Sequence, residues 1–238
     1  MADILNLIRN RKSLRVPFDP DRPVAREDLL KILEAARWSP TAHNMQNFEI
    51  IVVDDPEILQ AIGNIKRPIS ETFIRENYPH LSFSEEELSK KKTGLLATMF
   101  PPSWRNPDFR LTQTDEKETA SLQRPMPESP ALLVVVYDPG KRAPASEGDF
   151  LGIISLGCAL ENMWLMAESL GIGLHIVSSL GSAPEVKTIL RIPHDLIIAF
   201  SCRFGYPVSR PAKHLQVRRD VKDFAHHNRF GAREKGFA

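Results

Sequence analysis

Three cations and a hydroxyl stand within five residues at Arg11-Lys12-Ser13-Leu14-Arg15. Such a group can clamp a phosphate, because each charge-assisted hydrogen bond to an anion contributes about 1.5–3 kcal/mol. The same residues also suit a solvated helix end, where Lys and Arg complement the helix dipole. A second cluster runs from Ser39 through Pro40, Thr41, Ala42, His43, Asn44 and Met45 to Gln46. Its small and amide side chains can present donors and acceptors to a planar heterocycle. They are equally common loop residues that bond their own backbone, and His43 by itself reads as a loop histidine. A third segment, Gly171 to Ser179, holds glycines that let backbone approach a ligand, although Gly171 and Gly173 are also explained as a helix cap. It is not the glycine fingerprint of a dinucleotide-binding fold. Finally, Arg218-Arg219 reads as surface charge or as a second arm of the phosphate clamp.

The elements that must position these residues follow from periodicity. Ile4, Leu5, Leu7 and Ile8 predict a short helix ending at the basic cluster, and Pro17, Pro20 and Pro23 an extended connection after it. Leu29, Leu30, Ile32, Leu33 and Ala36 give an amphipathic helix over 26–37, stopped by Ser39-Pro40. Residues 48–53 are a strand, and Asp54-Asp55-Pro56 opens a helix through Ile62. Strands are predicted at 131–137, 174–180 and 196–200, with a short helix over 183–190. Between 149 and 170 lies a helix whose apolar residues cover nearly the whole circumference, so it must be buried on all sides, in a core or by a second subunit. Residues 66–127 mix charge, proline and scattered aromatics. They read as helices and loops inserted over the core, with an exposed helix where Glu85-Glu86-Glu87 precedes Lys90-Lys91-Lys92. The order α, α, β, α, insertion, β, α, β, α, β, tail predicts an α+β sandwich.

With 238 residues, 42% of them hydrophobic and 26% charged, the chain can bury a full core, and wholesale disorder is excluded. A net charge of +1 makes no case for nucleic acid or a membrane surface. The charge is unevenly spread: from Arg203 onward nine Lys/Arg face three acidic residues, leaving a tail of +6 and −5 before it. Cys158 and Cys202 stand in apolar runs and read as buried, reduced thiols of a cytoplasmic protein. No Cys/His spacing matches a metal site. The N-terminus does not read as a signal peptide, and no apolar stretch is expected to approach the roughly 20 residues that span a bilayer.

In joint order and spacing, several segments resemble the nitroreductase family. They are RKSLR, LLKILEAARWSPTAHNMQNFEIIVV, GDFLGIISLGCALENMWLMAESLGIG, FGYPVSRP and VRRDVKDFAHHNRFG. The resemblance covers nearly the whole chain outside 66–127. It implies one domain over 1–238, with 66–127 inserted above the active site and 205–238 as a basic tail. The fold implied is an α/β/α sandwich with a mixed, mainly antiparallel sheet, in an intertwined homodimer with FMN at the interface.

Carried over by position, Arg11, Lys12, Ser13 and Arg15 would hold the FMN phosphate and ribityl chain, joined by Arg218 and Arg219. Asn44 and Gln46 would face the isoalloxazine edge. Val177, Ser178 and Ser179 would come from the partner subunit and offer backbone N–H groups near the flavin ring. Three positions depart from the family pattern: Asn47 replaces a usual proline, His43 a usual glycine, and Ser178 a glycine or acidic residue. The implied activity is ping-pong reduction of nitroaromatics, quinones or similar electron-poor small molecules by NADH or NADPH. The flavin carries the chemistry, no side chain is an obligate acid or base, and His43 is a candidate substrate contact. Two alternatives stay open: a specialised reductase acting on a carbon–halogen or activated double bond, and a non-catalytic flavin-binding protein.

Overall fold

The computed structural model describes residues 4–65, 71–99, 101–106, 108, 110, 129–144, 148–177, 180, 183–209 and 216–232. Ser178 and Ser179 lie outside them. The chain divides into two compact units, Met1–Arg67 with Leu122–Arg210, and Pro68–Ser121 with Pro211–Ala238.

The first unit is built on four antiparallel strands: β1 (Phe48–Val53), β4 (Ala131–Tyr137), β5 (Gly173–Val177) and β6 (Ile197–Gly205). They lie in the order β1-β4-β6-β5, so β1 and β5 are the edges. All seven residues of β4 are buried, as its unbroken apolar run requires. Its residues alternate in use. Ala131, Leu133, Val135 and Tyr137 join the core with Ile32, Ala36, Leu156 and Met163. Leu132, Val134 and Val136 join a second core with Leu59, Ile62 and Val186. The first core belongs to α2 (Arg26–Arg37) and α6 (Phe150–Ser169), the second to α3 (Pro56–Gly63) and α7 (Pro184–Leu190). Helices thus cover both faces of the sheet, giving the expected α/β/α sandwich. Each fully buried Val or Leu contributes about 1.5–3 kcal/mol, so β4 is the fold's main apolar anchor. Asp55 starts α3 as predicted, its carboxylate accepting from the amides of Glu57 at 2.8 Å and Ile58 at 3.2 Å.

Strand β6 runs to Gly205, beyond the predicted end at Phe200. Its pairing with β4 shifts between Val135 and Val136: Val136 faces Ile198 while Val135 faces Phe200, leaving Ala199 as the extra residue of a bulge.

Helix α6 narrows one expectation, since it is not a core helix of the single chain, and corrects another. Within one chain it buries only a stripe, Ser155, Leu156, Ala159, Met163, Trp164 and Ala167, while Phe150, Leu151, Ile153 and Ile154 are exposed. It is also 20 residues long with a mean hydropathy of 1.5, enough by length and composition to cross a membrane. The scattered Ser, Gly, Asn and Glu residues along it hide that length in a reading by apolar runs. Of the cysteines, Cys202 is buried as expected and its thiol is pushed up to about 12 by burial, whereas Cys158 on α6 is only half-buried.

The short α1 (Ile4–Asn10) precedes the basic cluster. In the second unit, α4 (Glu71–Leu81) and α5 (Glu85–Lys91) flank a two-residue parallel pairing of β2 (Ser82–Phe83) and β3 (Leu95–Leu96). Ile74, Tyr78 and Trp104 form its core, the two rings 4.7 Å apart edge to face. Ser84 and Glu87 close a capping box on α5, and Lys92 beyond its end pairs with Asp220 of the tail.

Candidate functional site

The basic cluster is fixed to the free edge of β5. Ser13 bridges Leu174 in parallel, and the amide of Leu14 donates to the Leu174 carbonyl at 3.1 Å. Leu14 and Phe18 turn inward and are buried. They do so over Gly173, where an added Cβ would stand 2.6 Å from both Leu14 Cδ1 and Phe18 Cε1. The extended stretch continues along the chain after β6, the Asp19 amide donating to Tyr206 at 2.8 Å and the Val208 amide to Pro17 at 3.2 Å. On the α6 side, Trp164 Nε1 donates to the Lys12 carbonyl at 3.2 Å. Arg11 stacks 4.6 Å above the same indole, its Nε 3.4 Å from Glu161. The cluster is therefore a held segment, with Arg11 already ion-paired.

Beside it lies a pair that sequence reasoning missed. Arg203 of β6 is 1% exposed and sits 5.2 Å from the Phe18 ring. Its Nη2 donates to Nδ1 of His175 on β5 at 3.0 Å. A guanidinium can only donate, so Nδ1 accepts and the imidazole proton is on Nε2. Burial, then the charge of Arg203, then that of Arg15, push His175 down to about 3, so the ring is neutral at physiological pH. The local potential is positive. The available signal was the alternation of β5 and of β6 beyond its bulge, which places 175 and 203 on one face once they pair.

The first part of the loop between α2 and β1 is anchored at two points. Asn162 Nδ2 donates to Ser39 Oγ at 2.8 Å, and the Ala42 amide donates to Ser155 Oγ at 3.1 Å, both across to α6. Just beyond these anchors His43, Asn44 and Gln46 have φ of 51°, 54° and 42°. These are left-handed conformations that non-glycine residues rarely adopt, and strain of this kind clusters at functional sites. The side chains of Asn44 and Gln46 bond to one another at 3.1 Å on the surface. A groove of about 540 Å³ opens beside the loop, lined by Ser39, Thr41, Met45, Gln46, Glu49 and Lys141 among others. Asn47 is buried, and its carbonyl accepts from the Asp138 amide at 3.0 Å, tying the loop to the end of β4.

The left-handed φ explains why a glycine suits position 43. His43→Gly removes about 1–2 kcal/mol of backbone strain and adds about 0.5–1 kcal/mol of unfolded-state entropy. It should therefore raise the melting temperature by about 1–4 °C; a lower melting temperature would refute the strain assignment.

The remaining predicted residues fall in separate places. Val177 ends β5, its carbonyl accepting from Ser201 Oγ at 3.2 Å. It is three residues along the strand from Leu174, about 10 Å from the point where Ser13 docks. Arg218 and Arg219 belong to the second unit and are exposed. Arg218 Nη1 donates to the Val217 carbonyl at 2.8 Å, and Arg219 lies 5.7 Å from the Phe224 ring. The structure brings Arg11 to Arg15 together with β5. It sets Asn44 and Gln46 near the β1 edge, with β4 and β6 between.

Comparison with known proteins gives this arrangement a context. The chain is 32% identical over 79 residues to a CLA biosynthesis enone reductase of Lactiplantibacillus plantarum, 33% of each chain. It is 41% identical over 63 residues to a protein of Archaeoglobus fulgidus named for NADH dehydrogenase/NAD(P)H nitroreductase activity, 26% of this chain and 35% of that one. The aligned stretches thus span about a third of these curated relatives' length. Among solved structures, a nitroreductase with bound FMN from Bacteroides fragilis NCTC 9343 superposes with a TM-score of 0.56 at 20% identity, covering 92% of this chain and 96% of that one. The family model for the nitroreductase family matches residues 8–206, the span that contains the sheet, both helical layers and the docked basic segment. The chain belongs to the nitroreductase family.

Proposed function

We propose that the chain is an FMN-dependent oxidoreductase, a homodimer that passes electrons from NADH or NADPH to an electron-poor small molecule such as a nitroaromatic or a quinone. One observation carries the reading: the basic segment Arg11–Arg15 is fixed to the open edge of β5, beside a His175 ring held neutral by burial first and then by the charges of Arg203 and Arg15. These residues fit a phosphate monoester. Glu161 is paired with Arg11, but the charges that act on His175 are both cationic, and the segment's backbone is already ordered, so little entropy is lost on binding.

In this reading Arg11, Lys12, Ser13 and Arg15 hold the phosphate and the ribityl chain. Val177 serves the same cofactor as its own chain's Arg15, because Ser13 and Leu174 pair within one chain. For Val177 this reading departs from the expected partner-subunit contact; Ser178 and Ser179 lie outside the described residues. The partner supplies the strained loop instead: that loop is bonded to Ser155 of α6 and so flanks the helix's exposed apolar face, where a second copy docks. Asn44 and Gln46 then present their amides to the flavin edge. The same docking makes α6 a dimer helix rather than a membrane span. The resemblance alone proposes Arg218 and Arg219 as further phosphate ligands.

Bound FMN would supply the two-electron chemistry, and the protein's part is orientation, exclusion of water and electrostatic stabilisation of the reduced, anionic form. The likeness to an enone reductase favours a second acceptor class, conjugated carbon–carbon double bonds.

The purified protein should be yellow, bleach under anaerobic NADH or NADPH, and recover colour on addition of a nitroaromatic, quinone or enone. Stable colour without bleaching would leave only a flavin-binding protein. Arg15→Ala should weaken FMN binding about tenfold or more in a fluorescence titration. Arg219→Ala tests the tail by the same measurement, and unchanged affinity in both variants refutes the phosphate assignment.

A further inference from the structure

The His175–Arg203 pair is given no role by the proposed function, yet its geometry fixes what the imidazole can do. Arg203 is wholly buried and donates to Nδ1. The opposite ring nitrogen carries the proton and faces away from Arg203, because the two nitrogens lie on opposite sides of the ring. His175 is half-buried on an edge strand, one residue from Leu174, where the basic segment docks. No hydrogen bond to Nε2 is formed among the described residues. The charges that act on the ring, Arg203 and Arg15, are both cationic. An uncharged donor fixed in one tautomer and set among cations suits a dianion. It adds a hydrogen bond without the desolvation cost of another charge.

We infer that His175 Nε2–H, fixed by Arg203, is a specific donor to the phosphate monoester that Arg15 binds. This rests on the FMN reading for the identity of the ligand. Arg203 acts through His175 and is a positioning residue.

The test compares FMN with riboflavin, which lacks the phosphate. Affinities are titrated by flavin fluorescence for the parent, His175→Leu and His175→Gln. Leucine removes both nitrogens. Glutamine can accept from Arg203 through its oxygen and still donate through its amide. His175→Leu should weaken FMN about tenfold or more and leave riboflavin unchanged, while His175→Gln stays within about threefold of the parent. Equal FMN affinity in the parent and His175→Leu overturns the inference, and so does an equal loss for riboflavin, which marks a structural role. A second readout needs no variant: in ¹⁵N-histidine spectra of the parent, inorganic phosphate should shift the His175 Nε2 resonance. If the parent binds no FMN but phosphate still moves His175, the anion site stands and the proposed function falls. If neither occurs, both fall.

Discussion

A chain carrying Ile153→Glu is expected to sediment as a monomer at micromolar concentration and to lose its flavin. Ile153 is 60% exposed in the single chain, on the face of α6 shared with Phe150 and Ile154, which are exposed as well. The proposed homodimer buries that face. An unpaired carboxylate at a closed interface costs about 3–5 kcal/mol. Twofold symmetry introduces it twice, which raises the dimer dissociation constant by about four orders of magnitude or more. Ile153→Val keeps shape and polarity and should remain dimeric. A parent that is itself monomeric, or a glutamate variant that stays dimeric with FMN bound, removes the dimer and the shared site together.

The second large effect belongs to Gly173→Val. At this position a Cβ already meets Leu14 Cδ1 and Phe18 Cε1 at 2.6 Å, and valine adds two more methyl groups. Leu14 can swing its end aside. Phe18 cannot, since it is fully buried with Arg203 near its ring. The basic segment must lift from β5 or the sheet edge must open. Overpacking of this kind costs up to about 3 kcal/mol, a fall of about 6–12 °C in melting temperature. FMN affinity should drop with it, because Arg15 travels with Leu14. Unchanged melting together with unchanged FMN affinity would show that close packing at position 173 does not hold the segment in place.

Much of the scaffold was legible because periodicity and punctuation agreed. The predicted α2, β1 and β4 match their observed bounds, each being a clean pattern ended by Pro, Asp or Gly. The element order of the first unit was likewise correct. What stayed hidden has physical reasons. Helix α4 has a mean hydropathy pattern blurred by charge and contains Pro79, so nothing in its composition announced eleven helical residues. The end of β6 was lost because Arg203 interrupts an apolar run, and the contacts that hold a cation there, with His175 and the Phe18 ring, appear only once the strands pair. The basic segment was found from residue type alone, but its docking on β5 needs Leu14 and Phe18, on either side of Pro17, to be seen as inward-turning. For the loop, residue type suggested chemistry, while the left-handed backbone at His43, Asn44 and Gln46 belongs to tertiary anchoring by Ser155 and Asn162.

Ala199 decides which way half a strand looks. In β6 the even-numbered Ile198 contacts the α3–α7 layer, yet the even-numbered Phe200, Cys202 and Phe204 contact the α2–α6 layer. The added residue resets the phase of the alternation, and every side chain after it is inverted. Deleting it would turn Arg203 into the oily layer beneath α6 and swing Phe204 to the side now occupied by the guanidinium. The cation beside His175 is thus delivered by a counting error in the strand, and the chemistry of that edge depends on a methyl-bearing residue that touches none of it.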